Sequence, residues 1–227
     1  MVGPLVFGVA ASSSLVFGSI AGAYWDPPEW LTGSLVAFAS GALIVALAFE
    51  LFEHAFETAG LAVASAGLLA GGAVFTVVDH LLDEVYGTDS SGLGLLASVT
   101  LDGVPENLAL GVALIGQASP FALLAAIFAS NFPEALSGAK DVADEASKLY
   151  TVSIWVGAAA LLAAAVVVGN RVFASTAEVP LAVVRAFAGG SVVASLTTEV
   201  MPEAFEEGGD YVGFATAVGF VLAFALK

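Results

Sequence analysis

Long apolar runs limit the folds open to this chain more than any other feature. Eight runs of mostly alanine, leucine, valine and glycine fill the sequence, and each is close to the length of about 20 residues that an α-helix needs to cross a bilayer. They lack the alternating pattern of a transmembrane barrel. With 59% hydrophobic and 11% charged residues, the chain is predicted to be an all-α membrane protein whose main partner is the lipid bilayer.

Clusters of proline, glycine, aspartate and serine divide the apolar sequence into predicted crossings. The two longest connections, 81–92 and 140–149, are too short for a second folded unit. Residues 1–227 are therefore expected to form a single transmembrane domain. The first run lacks the basic start and cleavage site of a secretory signal and is expected to remain as a crossing. The predicted crossings are 2–24, 31–53, 59–81, 93–116, 119–139, 151–169, 180–202 and 211–226.

Charge and cysteine usage exclude several classes of function. The formal net charge is −16, from 21 acids against five bases, so a nucleic-acid partner is not indicated; the acid excess fits a high-salt environment. There is no cysteine, which excludes disulfides and thiolate metal sites. Any bound metal must be held by oxygen or imidazole.

The chain contains an internal repeat. Residues 38–57 align with 187–206 at a constant offset of 149, with eight identities in 20 positions, and Glu50 aligns with Glu199. Because the copies lie in predicted crossings two and seven, they run in opposite directions through the bilayer. The segments 102–107 and 130–135 share a Pro-Glu step in crossings four and five. We expect a 3+2+3 arrangement of eight helices with inverted repeats, crossings 1–3 matching 6–8 and crossing 4 matching 5, as in secondary transporters.

Two acids in crossing four are the strongest candidates for function. Asp102 and Glu106 are four residues apart, which places both carboxylates on one face of a helix. An acid inside a bilayer costs about 2.5–3.5 kcal/mol on insertion scales and is a functional candidate by default. Pro105, between them, leaves the carbonyl of Leu101 without its helical donor. Two close carboxylates favour either a shared divalent cation or a shared proton.

Crossing five supplies a matching set of oxygens. Glu134 follows Pro133, and Ser130 and Asn131 lie one turn before it. Oxygen ligands from two antiparallel helices suit hard or borderline divalent cations. The structural alternative is a set of protonated acids that hydrogen-bond between helices.

Other ionisable groups give weaker signals. Glu50 and Glu199 lie close to the predicted ends of their crossings, where a gate or exit-path role competes with simple snorkelling to water. Asp79 is a third candidate for that path. His54 and His80 are expected to be ordinary interfacial residues.

At the crossing-four and crossing-five motifs the chain resembles the Zrt/Irt-like (ZIP) family of divalent-metal transporters, as a divergent member of haloarchaeal type. The family signature in the fourth crossing is His-Asn-x-Pro-Glu-Gly, and here residues 102–107 read Asp-Gly-Val-Pro-Glu-Asn. The fifth-crossing version is Ser-Asn-Phe-Pro-Glu-Ala at 130–135, and Thr-Glu-Val-Met-Pro-Glu at 198–203 resembles the seventh-crossing motif. Asp102 replaces the signature histidine and Gly103 its asparagine, so the resemblance does not fix which of these metals is preferred.

The resemblance implies a multi-pass plasma-membrane protein with both termini outside, a homodimer, and cation movement toward the cytoplasm. It implies that the substrate is Zn, Fe, Mn or Cd, with no organic cofactor, and that the positions that bind the metal are Asp102, Glu106, Ser130, Asn131 and Glu134.

The leading expectation is therefore an alternating-access carrier for a divalent transition metal. One alternative is proton or monovalent-cation exchange by the same acids. Another is a degenerate member that senses metal or scaffolds a partner without transport. An intramembrane hydrolase is disfavoured because Ser130 has no His or Lys at helical spacing, so no enzyme activity is expected.

Overall fold

Helices account for most of the described structure, and short turns connect them. The computed structural model describes residues 2–86, 92–116 and 120–226; the side chains at 2, 82–86, 92–98, 101 and 102 lie outside that description. Within it every regular element is helical. The elements are α1 (Val2–Tyr24), α2 (Glu29–Ala46), a π-helical turn (Leu47–Glu53), α3 (His54–Tyr86), α4 (Gly92–Ala113), α5 (Phe121–Glu145), α6 (Lys148–Phe173), α7 (Glu178–Ser195), a second π-helical turn (Leu196–Val200), α8 (Met201–Gly208), a 3-10 turn (Gly209–Tyr211) and α9 (Val212–Ala225).

Five continuous helical stretches of the described residues are long and apolar enough to cross a membrane. The chain is thus an all-α protein of the membrane-spanning type. Two of the stretches, Glu29–Leu81 and Glu178–Ala225, contain 53 and 48 residues, about twice the length that one crossing requires. Each is broken by a glycine with positive φ, Gly60 at 79° and Gly209 at 53°, in backbone conformations that cost other residues about 1–3 kcal/mol.

The two copies of the repeat have the same order of elements at the same offset of 149. One copy starts at Glu29 and the other at Glu178, and their π-helical turns start at Leu47 and Leu196. Each copy is interrupted at its glycine, Gly60 or Gly209. The aligned sequences therefore have matching local structures over a longer stretch than the identities alone cover.

The packing of the helices also follows this correspondence. α2 packs on α9 and α7 packs on α3, while α1 packs on α5 and α6 packs on α4. Phe38 and Phe187 are related by the offset, and the backbone of each lies directly against a glycine, Gly219 on α9 and Gly71 on α3. Small residues that let helix backbones touch are the usual means of helix association in a bilayer.

The helices form two groups. α1, α4, α5 and α6 pack on one another. The second group consists of two pairs, α2 with α9 and α3 with α7, which meet each other through the π-helical turns. The groups meet where α2 packs on α5 and α4 packs on α7. The largest buried apolar cluster lies across this junction and includes Leu47, Leu196, Leu110 and Ile127.

The helices extend beyond several of the predicted boundaries. The predicted connection 140–149 is mostly helix, because α5 continues to Glu145 and α6 begins at Lys148, with Ser147 Oγ accepting a hydrogen bond from the backbone N–H of Tyr150 as its N-cap. Charged residues end an apolar run but do not end a helix, which explains the error. Lys140, in this segment, forms an ion pair with Asp26 at 2.8 Å.

Helical structure also extends past the predicted ends of crossings two and seven, at 53 and 202. Helical structure continues to the breaks at Gly60 and Gly209. Glu50 and Glu199 therefore lie about ten residues before a helix break, not close to one.

Candidate functional site

The structure brings together one acid from α4 and one hydroxyl from α5. Glu106 is buried, with 6% of its surface exposed. Ser130 Oγ lies 3.4 Å from Glu106 Oε1 and 3.0 Å from the backbone oxygen of Ile127. The single hydroxyl hydrogen therefore faces two acceptors. The contact to Glu106 is longer than the usual 2.5–3.0 Å of an O–H···O bond, so the carboxylate is only loosely held by this serine.

Both helices at this contact contain a proline, as the sequence indicated. Pro105 lies inside α4 directly before Glu106, and Pro133 lies inside α5 directly before Glu134. Glu134 is partly buried and lies one turn after Ser130, so both side chains belong to the same face of α5. The two acidic positions thus occupy equivalent places on two neighbouring helices.

Asn131 is a predicted site residue with an unusual environment. Only 1% of it is exposed, and its Nδ2 is buried without a hydrogen-bond partner. Buried amides normally find partners, so an unpartnered one needs a specific explanation. Asn131 lies on the buried face of α5, beside the partly buried face that carries Ser130 and Glu134.

A second buried amide, Asn107, was missed by the sequence reasoning. It follows Glu106 in α4 and is fully buried. Its Nδ2 donates to the backbone oxygen of Gly103 at 2.9 Å, while its Oδ1 is buried without a partner. The sequence does show an amide directly after an intramembrane acid. The prediction considered only the helix face that carries Asp102 and Glu106, and Asn107 lies on a different face.

Asp102 lies in α4 one turn before Glu106, but its side chain is outside the described residues. Among the side chains that are described, no three His, Cys, Asp or Glu residues come close enough to hold a metal ion. Of the described side chains, Ser130 contributes a hydroxyl at the buried Glu106 carboxylate.

Glu50 and Glu199 lie inside the two π-helical turns. Both are partly buried, as is Asp79 in α3. π-helical turns occur often at functional sites, so the matched placement of the two glutamates keeps them as gate or exit-path candidates. His54 Nδ1 lies 3.0 Å from the backbone oxygen of Phe49, which fits the structural role expected for this histidine.

A cavity of about 410 Å³ adjoins both π-helical turns, and its lining is almost entirely apolar. Leu47 and Leu196 line it from the two repeats, with Phe52 and Met201 at the equivalent positions one turn later. Neither Glu50 nor Glu199 lines this cavity. It is not a site for a hydrated cation.

Comparison with known proteins gives no family. No protein-family model matches the chain, and no curated protein matches it. The site therefore has to be interpreted from its own geometry.

Proposed function

We propose that the chain is a secondary transporter of a divalent transition-metal cation, of the kind that the ZIP-like motifs indicate. The observation that carries the proposal is the contact between buried Glu106 on α4 and Ser130 on α5. A carboxylate in the interior of a membrane protein is expensive and usually marks an ion pathway. Here it lies at the junction of two helices that each carry a Pro-Glu step.

The separation of the two oxygens suits a bound cation. Adjacent oxygens around an octahedral ion lie about 1.4 times the metal–oxygen distance apart, which is about 3.0 Å for ligand distances of 2.1 Å and about 3.4 Å for 2.4 Å. Ser130 Oγ and Glu106 Oε1 are 3.4 Å apart. A transition-metal cation with ligand distances near 2.1 Å would therefore draw these two oxygens together by about 0.4 Å. Asp102, Asn131 and Glu134 are the proposed further ligands.

The proposed architecture has eight crossings. Breaking Glu29–Leu81 at Gly60 and Glu178–Ala225 at Gly209 gives two crossings from each stretch, and α1, α4, α5 and α6 supply the other four. The offset of 149 then relates two sets of three crossings that run in opposite directions. This 3+2+3 arrangement supports alternating access, in which the group of α1, α4, α5 and α6 moves relative to the other group. A homodimer in the plasma membrane remains part of the proposal.

Proteoliposomes provide the test. The purified chain is reconstituted, and uptake of Zn²⁺, Mn²⁺, Fe²⁺ and Cd²⁺ is compared between the unaltered protein, Glu106→Gln, Glu134→Gln and the control Glu206→Gln, which changes an exposed acid on α8. We expect uptake in the unaltered protein and the control and its loss in the Glu106 variant. Uptake that survives both site substitutions would refute the site.

Exchange of protons or monovalent cations is a second candidate. Glu106 contacts the hydroxyl of Ser130, and the described side chains contain no group of three acids or histidines that could hold a metal. A single buried carboxylate beside a hydroxyl also fits a site that binds and releases a proton. Proton movement recorded by an internal pH dye, driven by a Na⁺ or K⁺ gradient and unaffected by divalent metal, would favour exchange over metal transport. A folded protein that moves no ion in either assay would indicate the non-transporting alternative.

A further inference from the structure

The apolar cavity beside the two π-helical turns is built from equivalent residues of the two repeats. In addition to the pairs that contain Leu47 and Phe52, two more pairs at the offset of 149 line it, Ile44 with Val193 and Ala48 with Thr197. These four pairs make up eight of its ten lining residues. The cavity therefore lies on the axis that relates the two repeats.

The cavity is a gap that the helices leave between them. α2 packs on α9 and α3 packs on α7, and the two pairs meet through the π-helical turns. Beside these turns the gap is bordered by Ile44 of α2, Leu68 of α3 and Val193 of α7. Its volume is about 410 Å³, whereas an apolar cavity of about 150 Å³ already binds benzene. The gap has room for several methylene groups.

The opening of the cavity lies halfway along two helices. Ile44 and Val193 are 37% and 40% exposed, so the opening continues the exposed apolar surface of α2 and α7. Ile44 lies 15 residues after Glu29 and 16 before Gly60, and Val193 has the same place between Glu178 and Gly209. At 1.5 Å per residue the opening is about 23 Å from either end of its helix, close to half the thickness of a bilayer with its headgroups. Only the ends of lipid chains reach that depth.

The lining offers no hydrogen-bonding side chain to a polar ligand. Among the described residues that form it, Thr197 alone carries a hydroxyl. Its Oγ1 lies 3.0 Å from the backbone oxygens of Val193 and Ala194, so its hydrogen is already used within the helix. Cavities with such apolar walls stay dry and take up apolar molecules.

We propose that this cavity binds the end of one acyl chain of a membrane lipid. The chain fills the gap between the two helix pairs and contacts both π-helical turns at once. The site is separate from the Glu106–Ser130 contact, and it does not depend on which ion the protein moves.

Photolabelling of the full chain tests the proposal. The protein is reconstituted in phosphatidylcholine vesicles that contain a phosphatidylcholine with a photoreactive diazirine at the end of one chain, and the labelled residues are mapped by mass spectrometry. We expect labelling of 44–52 and 193–201 above that of the exposed surface of α6 around Ala160. A lipid with the diazirine next to its headgroup should not label these segments.

Two matched variants locate the lipid chain. Ala48→Phe fills the cavity and should reduce the labelling of both segments to the level of α6. Ala160→Phe makes the same change at an exposed alanine halfway along α6 and should leave that labelling unchanged. If Ala48→Phe does not fold, Thr197→Phe fills the cavity from the equivalent position of the second repeat and should have the same effect.

Labelling of 44–52 and 193–201 no stronger than that of α6 would overturn the inference. So would full labelling in a folded variant with a phenylalanine in the cavity. A second copy of the chain over the opening is the remaining occupant to test. The chain has no cysteine, so Ile44→Cys introduces a single one. Disulfide-linked dimers of this variant in the same vesicles, in place of lipid labelling, would also overturn the proposal.

Discussion

Substitution of a single glycine, Gly190→Ala, tests the packing that relates the two repeats. Gly190 lies on α7 where it meets α3, and a Cβ built there would overlap the backbone oxygen of Leu68 and lie 2.7 Å from its carbonyl carbon. Carbon atoms pack best at about 3.5–4.0 Å. Since the obstacle is backbone, no rotamer change relieves it, and the two helices must separate by about 1 Å.

The expected cost follows from a comparison with Gly157 on α6, where a Cβ would meet nothing within 4 Å. Both substitutions gain about 1 kcal/mol of helix propensity. Gly190→Ala alone introduces overpacking, which costs about 1–3 kcal/mol. The free energies of unfolding of the two variants should therefore differ by about 1–3 kcal/mol. For a chain of this size that corresponds to a Tm lower by roughly 2–12 °C for Gly190→Ala than for Gly157→Ala.

Gly41 on α2 is the position equivalent to Gly190 at the offset of 149. A Cβ there would overlap the backbone oxygen of Thr216 and lie 2.9 Å from its carbonyl carbon. Gly41→Ala should lower the Tm as much as Gly190→Ala, measured by circular dichroism in detergent with Gly157→Ala as reference. Equal Tm values for all three variants would refute the close backbone contacts. A large difference between Gly41→Ala and Gly190→Ala would refute their equivalence.

Two further predictions concern the helix break and the junction of the groups. Gly60 has a φ of 79° and a ψ of 164° with open space around it. Gly60→Ala should therefore cost about 1–3 kcal/mol from backbone strain alone, and thermal unfolding compared with Gly157→Ala checks this. Arg185 on α7 donates from Nη2 to the backbone oxygen of Ile115, which follows α4, at 2.6 Å. Losing a hydrogen bond from a charged group costs about 1.5–3 kcal/mol. Arg185→Gln should therefore lower the Tm, whereas Arg171→Gln, at an exposed position, should leave it unchanged.

Much of the helical architecture was predictable because a bilayer imposes both length and composition. α1 begins and ends where the apolar run does, and α9 likewise matches its predicted segment. The offset of 149 was visible from eight identities and predicted equivalent positions in two helices. The repeat could not predict the two π-helical turns. A π-helical turn differs from an α-helical one by a single extra residue per turn, and it has no characteristic amino-acid composition.

The details around the acids were less predictable. Hydropathy finds where the apolar residues stop, so it placed helix ends at 53 and 202 although polar helix formers continue each helix to Gly60 and Gly209. Motif spacing predicted that oxygens from crossings four and five meet in one pocket, but it did not predict the specific contact of Ser130 Oγ with Glu106 Oε1. The hydrogen bond from Asn107 Nδ2 to the backbone oxygen of Gly103 was not predicted either, because such a contact leaves no pattern in the sequence.

Alternating access also requires that the two groups of helices can separate at one end while they stay in contact at the other. Arg185 holds the end of α4 through Ile115, and Ser137 Oγ on α5 donates to Glu207 Oε1 on α8 at 3.2 Å. Ile115 lies just before α5 in the chain, whereas Ser137 lies 16 residues after the start of α5, or about 24 Å along its axis. The two hydrogen bonds thus join different pairs of helices, α7 with the end of α4 and α5 with α8. The contact region of α2 with α5 and of α4 with α7 is largely apolar, so under the transport proposal relative movement of these helices breaks few directional contacts.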